Sequence, residues 1–154
     1  MGAEVTGVSS SKNHGLLRSI GADHVIDYKT ENYTESGVKY DLIIDMVSNY
    51  SLLSIRDALT DNGQLVLVGS AKGDWIAPIQ GPLAAELISP FVDQKFNMIL
   101  ARLKQVDMQA LSNLMQEGKL TPVLDSSYPL SKTADAIQHS ESGHPRGKIV
   151  IEME

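Results

Sequence analysis

Residues 9–13, Ser-Ser-Ser-Lys-Asn, place three hydroxyl donors, an ammonium and an amide in one short stretch, and no carboxylate falls between Val8 and Asn13. Such a set suits a phosphate dianion, held by charge-assisted hydrogen bonds. The preceding residues, Ala3 to Val8, form a candidate buried strand, and helical spacing begins near Asn13. At the tip of the second strand of a dinucleotide-binding sheet, an Asp or Glu accepts hydrogen bonds from a free ribose 2′-hydroxyl and repels a 2′-phosphate. The residue types here favour the phosphate. The same hydroxyls also suit a helix N-cap, by Ser10 or Ser11, and the two roles are compatible.

Other chemistry-bearing residues form no comparable set. His14, His24, His139 and His144 are scattered, without the spacing of a metal-binding helix. The chain has no cysteine, so neither a disulfide nor a thiolate metal site can form within it. Asp45 ends an apolar run, where a carboxylate accepts backbone donors of the following loop more often than it acts as an acid. Ser70 lacks the G-x-S-x-G setting of a nucleophile. Trp75, with Ile76, Ile79 and Leu83, is expected to seal a subunit contact in preference to lining a substrate mouth.

The elements that must position the polar turn alternate between strand and helix. Leu16, Leu17 and Ile20 recur at helical spacing, and Gly21 stops that helix. A short strand is expected over His24–Tyr28, then a polar stretch from Lys29 to Lys39. Asp41 to Val47, with Leu42, Ile43 and Ile44 consecutive, predicts a strand buried on both faces, as parallel sheets require. A helix over Ser51–Leu59, a turn at Asp61–Gly63 and a buried strand over Gln64–Gly69 follow. Ser70 to Pro90 predicts a long loop with a short helix around Leu83–Ile88. Phe96–Ala101 predicts a strand and a dimer edge. Asp107–Glu117 predicts a helix with Met108, Leu111, Leu114 and Met115 on one face, ended by Gly118. Pro122–Leu124 is extended, Ser131–Ser140 a helix capped by Ser131, and Gly147–Met153 the closing strand. The pattern is that of an α/β parallel sheet.

Composition narrows the partners. A net charge of -6, with its acidic residues dispersed, argues against nucleic acid or an anionic membrane. No apolar run approaches the roughly 18 residues of a membrane span. Absence of cysteine fits a reducing cytoplasm, the expected location.

The runs GADHVIDY, YDLIIDMV and GQLVLVG, with the tail GKLTPVLDSSYPLSKTADAIQHSESGHPRGKIVI, occur in an order that resembles the medium-chain dehydrogenase/reductase superfamily. The branch most similar is that of quinone-oxidoreductase-like, NAD(P)-dependent alcohol dehydrogenase homologues. The resemblance implies an α/β Rossmann-like sheet, entered at its second strand. Residues 1–120 correspond to the dinucleotide-binding domain from that strand onward, and 121–154 to a segment that returns to the catalytic domain. It also implies that Ser10, Lys12 and Asn13 receive the adenosine 2′-phosphate, with Tyr28 beside that phosphate and the adenine. Val47 and Ser48 border the ribose and nicotinamide, and Val68, Gly69 and Ser70 run along the nicotinamide edge. Arg146 reaches the cofactor's phosphates. Read alone, Tyr28 is a half-buried strand-end aromatic, Gly69 a turn residue and Arg146 a solvated charge or a structural ion pair.

The expected function is thus the NADP(H)-binding portion of an oxidoreductase that transfers hydride between nicotinamide and a quinone, enone or carbonyl, with NADPH preferred to NADH and no metal in this chain. The alternative is a non-catalytic nucleotide-binding or regulatory module, because no G-x-G-x-x-G is present to cradle pyrophosphate. A methyltransferase-like fold shares the strands YDLIID and DNGQLVLVG, but wants an acid at the tip of strand two. Only Met1 and Gly2 precede the first strand, so the chain is expected to be a later part of a longer enzyme and not to turn over alone. Loss of the central strand of a 3-2-1-4-5-6 sheet would bare two edges. Either direct closure of that gap or its filling by another chain, through swapping or a companion fragment, is expected, and a homodimer or swapped dimer is the expected assembly.

Overall fold

The computed structural model describes residues 2–47, 49–68, 94–98, 102 and 104–153. It divides into two compact units, Met1–Ala101 and Arg102–Glu154. Every strand pair in both is parallel. None of the helices is long and apolar enough to cross a membrane, among the described residues.

The first unit opens with β1 (Thr6–Ser9), a 3-10 turn over Ser11–Asn13, α1 (His14–Ser19) and β2 (His24–Asp27). β1 is shorter than its apolar run and starts later. Gly7 lies under α1, where an added Cβ would stand 2.9 Å from Leu17 Cδ1. The glycine therefore lets the helix approach the strand. Gly21 adopts φ 106 just past α1, a left-handed conformation that ends the helix.

Then come β3 (Tyr40–Asp45), α2 (Leu52–Asp57), β4 (Leu59–Leu67) and β5 (Lys95–Met98). Ser51 caps α2, its hydroxyl accepting the Ser54 N–H at 3.1 Å. β4 begins earlier than its apolar run, pairing Leu59 with Tyr40. Its register then jumps, so that Gln64 pairs with Leu42. The residues at 61–63 expected as a turn form this irregularity. Gly63 is buried there, and a Cβ would come within 3.0 Å of the Tyr40 carbonyl.

The core of this unit is Ile55, Leu59, Leu65 and Leu67, with Ile43, Tyr50, Leu52 and Phe96 packed around it. The polar stretch 29–39 contributes one buried residue, Tyr33, on a 3-10 turn (Tyr33–Glu35). Its ring meets Tyr50 and Tyr40 edge-on, with centroids 5.1 and 6.1 Å away.

One expectation is corrected in this unit: β3 is not buried on both faces, since Leu42 and Ile44 are 53% and 58% exposed. Of the two outcomes expected for the gap, direct closure is not formed among the described residues: β1 and β2 form one sheet, and β3, β4 and β5 another in the order β3-β4-β5. Both features have one cause. β1 and β3 each lack a strand neighbour on one side among the described residues, so neither edge nor face is completed there.

The second unit holds α3 (Gln105–Gln116), β6 (Leu124–Pro129), α4 (Thr133–Glu141) and β7 (Lys148–Glu152). The apolar face expected on α3 is exposed at Met108, Leu111 and Met115. Gly118 follows α3 with φ 67. α4 is preceded by a 3-10 turn over Leu130–Lys132, and Lys132, not Ser131, occupies its cap position without a side-chain bond. Instead the Thr133 hydroxyl donates to the Leu130 carbonyl at 2.7 Å. The loop and short helix expected between Ser70 and Pro90, with Trp75, fall outside the described residues.

Candidate functional site

Ligands of open α/β sheets bind beyond the carboxyl ends of the strands. At that end of β1 and β2 the fold gathers Ser10, Lys12, Asn13 and Tyr28. The Asn13 N–H donates to the Ser10 carbonyl at 2.9 Å, and the Tyr28 N–H to the Ser9 carbonyl at 3.3 Å. Ser10 is buried and Tyr28 exposed. Neither Ser10 nor Asn13 makes a side-chain capping bond. The N-cap expected of Ser10 or Ser11 is therefore not formed.

A carboxylate takes over the cap's work. Asp27, buried at the end of β2, accepts the Lys29 N–H on Oδ1 and the Ser11 N–H on Oδ2, both at 3.0 Å. The Lys29 amide first, then the Ser11 hydroxyl and amide, hold its carboxyl below the ordinary value of 3.8 against the opposing effect of burial. So the sequence stretch without a carboxylate acquires one in space, from the next strand. Its oxygens face backbone donors inside the turn, where a ribose hydroxyl would compete with two satisfied amides.

Two polar atoms in the same turn are buried with no hydrogen-bond partner among the described residues, Asn13 Oδ1 and His14 Nε2. Buried polar atoms are rarely left so. Neither the Asp27 clasp nor the part of His14 followed from sequence. The spacing of Asp27 from Ser11 signals nothing until β1 and β2 are paired.

At the ends of β3 and β4, the Val68 N–H donates to the Asp45 carbonyl at 2.9 Å and the Val47 N–H to Asp45 Oδ1 at 3.0 Å. Val47 and Val68 are both exposed there. Asp45 thus has the loop-binding part expected of it. Ser48, Gly69 and Ser70 lie outside the described residues.

Arg146 belongs to the second unit, where its N–H donates to Asp125 Oδ1 at 3.0 Å. That amide is the first cause holding the Asp125 carboxyl below 3.8. Asp125 Oδ2 lies 3.3 Å from His139 Nε2, while His139 Nδ1 meets the Tyr128 hydroxyl at 3.0 Å. This ties α4 to β6, a use of His139 invisible in its sequence spacing.

Comparison with known proteins gives a consistent family. The family model for zinc-binding dehydrogenases matches residues 20–151. The chain is 31% identical to the chloroplast envelope quinone oxidoreductase homolog of Arabidopsis thaliana, over 97% of this chain and 45% of that protein. It is 26% identical to the chloroplastic NADPH-dependent alkenal/one oxidoreductase of the same plant, over 97% of this chain and 33% of that one. Among solved structures, the quinone oxidoreductase from Coxiella burnetii superposes with a TM-score of 0.80 at 25% identity, covering 99% of this chain and 46% of that one. The chain therefore spans less than half the length of these relatives.

Proposed function

The chain belongs to the zinc-binding dehydrogenase family, within the medium-chain dehydrogenase/reductase superfamily, and from that premise we propose that it is the cofactor-binding portion of an NADP(H)-dependent oxidoreductase. The observation that carries this reading is the polar turn after β1. It combines Ser10 and Lys12 with the His14 ring, whose Nε2 is buried without a hydrogen-bond partner among the described residues, while the Asp27 carboxylate beside it accepts backbone donors. The names of the relatives, one an NADPH-dependent alkenal/one oxidoreductase, point the same way.

In this reading Ser10, Lys12 and Asn13 hold the adenosine 2′-phosphate end, and the exposed Tyr28 ring covers the adenine. Val47, Ser48, Val68, Gly69 and Ser70 border the nicotinamide, and Arg146 reaches the phosphates. The bound cofactor supplies hydride, for a quinone, enone or carbonyl acceptor. The chain's own share is to bind and orient it. Residues 1–120 carry that task and 121–154 return toward the catalytic domain.

The family name implies zinc. The chain has no cysteine and four separated histidines, and among the described residues no three His, Asp or Glu side chains are grouped to hold a metal ion.

Titration with NADPH and NADH tests the reading. NADPH should bind more tightly, and Lys12→Glu should weaken NADPH more than NADH, because only NADPH places a dianion at that turn. Equal losses for both would remove the assignment.

A further inference from the structure

The turn after β1 holds one charge of the wrong sign for a phosphate. Asp27 is buried, and its two oxygens accept the Lys29 and Ser11 N–H groups, both at 3.0 Å. The Lys29 amide first, and then Ser11, hold its carboxyl below the ordinary value against the effect of burial, and the charge of His14 adds to that lowering. A negative charge therefore stays fixed against this turn at neutral pH. A ribose 2′-hydroxyl is neutral and feels that charge little. A 2′-phosphate carries a charge of about −1.5 to −2 near pH 7 and is repelled by it. Cations on the turn have to offset the repulsion.

Lys12 brings an ammonium, and His14, the first residue of α1, brings a charge that depends on pH. An imidazole gains its second proton at about pH 6.5 in ordinary surroundings. His14 Nε2 is buried and makes no hydrogen bond among the described residues, so no partner at that atom ties the ring to one protonation state. Asp27 is the only carboxylate of β1, the Ser11–Asn13 turn, α1 and β2. β1 has no ionisable side chain. On β2, His24 stands at the opposite end and meets Glu4 at 2.6 Å. Lys29 follows Asp27 by two residues, and Arg18 lies one helical turn along α1 from His14.

We propose that His14 is a proton-dependent counter-charge for a ribose 2′-phosphate at this turn, so that the preference for 2′-phosphorylated over 2′-hydroxyl adenosine cofactors grows as pH falls. This rests on the reading of the turn as the 2′-phosphate site. With His14 neutral, the Asp27 charge opposes the phosphate. With His14 protonated, an added positive charge cancels that opposition. His14 works through its charge and not as a donor to the ligand, since its Nε2 is out of contact with solvent; it is a positioning residue. By linkage, the proton on His14 and the phosphate on the turn each raise the affinity for the other. The gain is present below the histidine range and lost above it.

The test measures the affinity of the whole chain for adenosine 2′,5′-bisphosphate and for adenosine 5′-monophosphate by calorimetry across the histidine range. The bisphosphate-to-monophosphate affinity ratio of the wild type, divided by that of His14→Gln at the same pH, should rise about three- to tenfold between about pH 8 and about pH 5.5. The division removes the phosphate's own titration, which lies at about pH 6. His14→Lys, which carries a cation throughout, should keep the high ratio at the alkaline end. The wild type alone gives a second readout. At about pH 7.5 the 2′-phosphate is already a dianion, so protons taken up from the buffer on binding come from the protein. The bisphosphate should cause that uptake and the monophosphate should not. The same ratio in wild type and His14→Gln at every pH, or binding of the bisphosphate without proton uptake, would overturn the part given to His14 and leave the site standing. Equal affinities for the two nucleotides at every pH would overturn the phosphate reading, and this inference with it.

Discussion

The Asp27 carboxylate accepts the Ser11 backbone N–H at 3.0 Å, which fastens the end of β2 to the turn that follows β1. The polar turn is thus shaped from across the sheet, not by a cap of its own. Asp125 repeats the arrangement in the second unit, accepting the Arg146 N–H at 3.0 Å.

Both clasps should make the fold sensitive to acid. Each carboxyl is held below 3.8, the value it regains on unfolding. A lowered folded pKa gives stability that is fully present above the unfolded value and is lost as pH falls through the folded one. Urea midpoints should therefore hold steady near neutrality and drop below about pH 4. Asp27→Asn should lower the neutral midpoint and flatten the acid limb, as should Asp125→Asn. An unchanged acid limb in the double variant would contradict the assignment.

Burial, not residue type, should govern the cost of shortening leucines. Leu65 is fully buried and Leu124 is 62% exposed. Leu65→Ala should cost about 2–5 kcal/mol in chemical denaturation. Leu124→Ala should stay within about 0.5 kcal/mol. Similar losses at the two positions would show that the core is misplaced.

Two glycines should respond with opposite signs to alanine. A Cβ on Gly147 would press on the Val123 carbonyl, with its carbon at 2.9 Å, whereas one on Gly15, within α1, meets nothing within 4 Å. Gly147→Ala should destabilise by about 1–3 kcal/mol. Gly15→Ala should stabilise by about 0.5–1 kcal/mol, through helix propensity and a less disordered unfolded chain. Thermal melts of the two variants, moving apart from wild type, are the check.

Much of the fold could be read from local pattern, because the apolar runs at 42–44 and 65–68 and the glycines at 21 and 118 act within a few residues of themselves. What escaped the sequence was long-range. Tyr33 sits in a polar stretch, yet is buried by Tyr40 and Tyr50. The exposure of Leu42 and Ile44 depends on a neighbour strand, which no run of residues in β3 could report. At the candidate site, the clustering of Ser10, Lys12, Asn13 and Tyr28 was legible from the strand–turn–helix pattern and the resemblance. Asp27 was not, because its partner lies 16 positions away in sequence. His139 likewise gains its partners, Tyr128 and Asp125, only when α4 packs on β6.

The central claim is that the turn after β1 receives a phosphorylated ribose. The most direct measurement is an NMR titration of the chain with adenosine 2′,5′-bisphosphate and, separately, adenosine 5′-monophosphate. The bisphosphate should shift the amides of Ser10 to His14 and of Tyr28, and should broaden or move the His14 ring signals. The monophosphate should shift them far less at equal concentration, and Lys12→Glu should erase the difference. Equal shifts from both nucleotides, or bisphosphate shifts confined to residues away from this turn, would contradict the account.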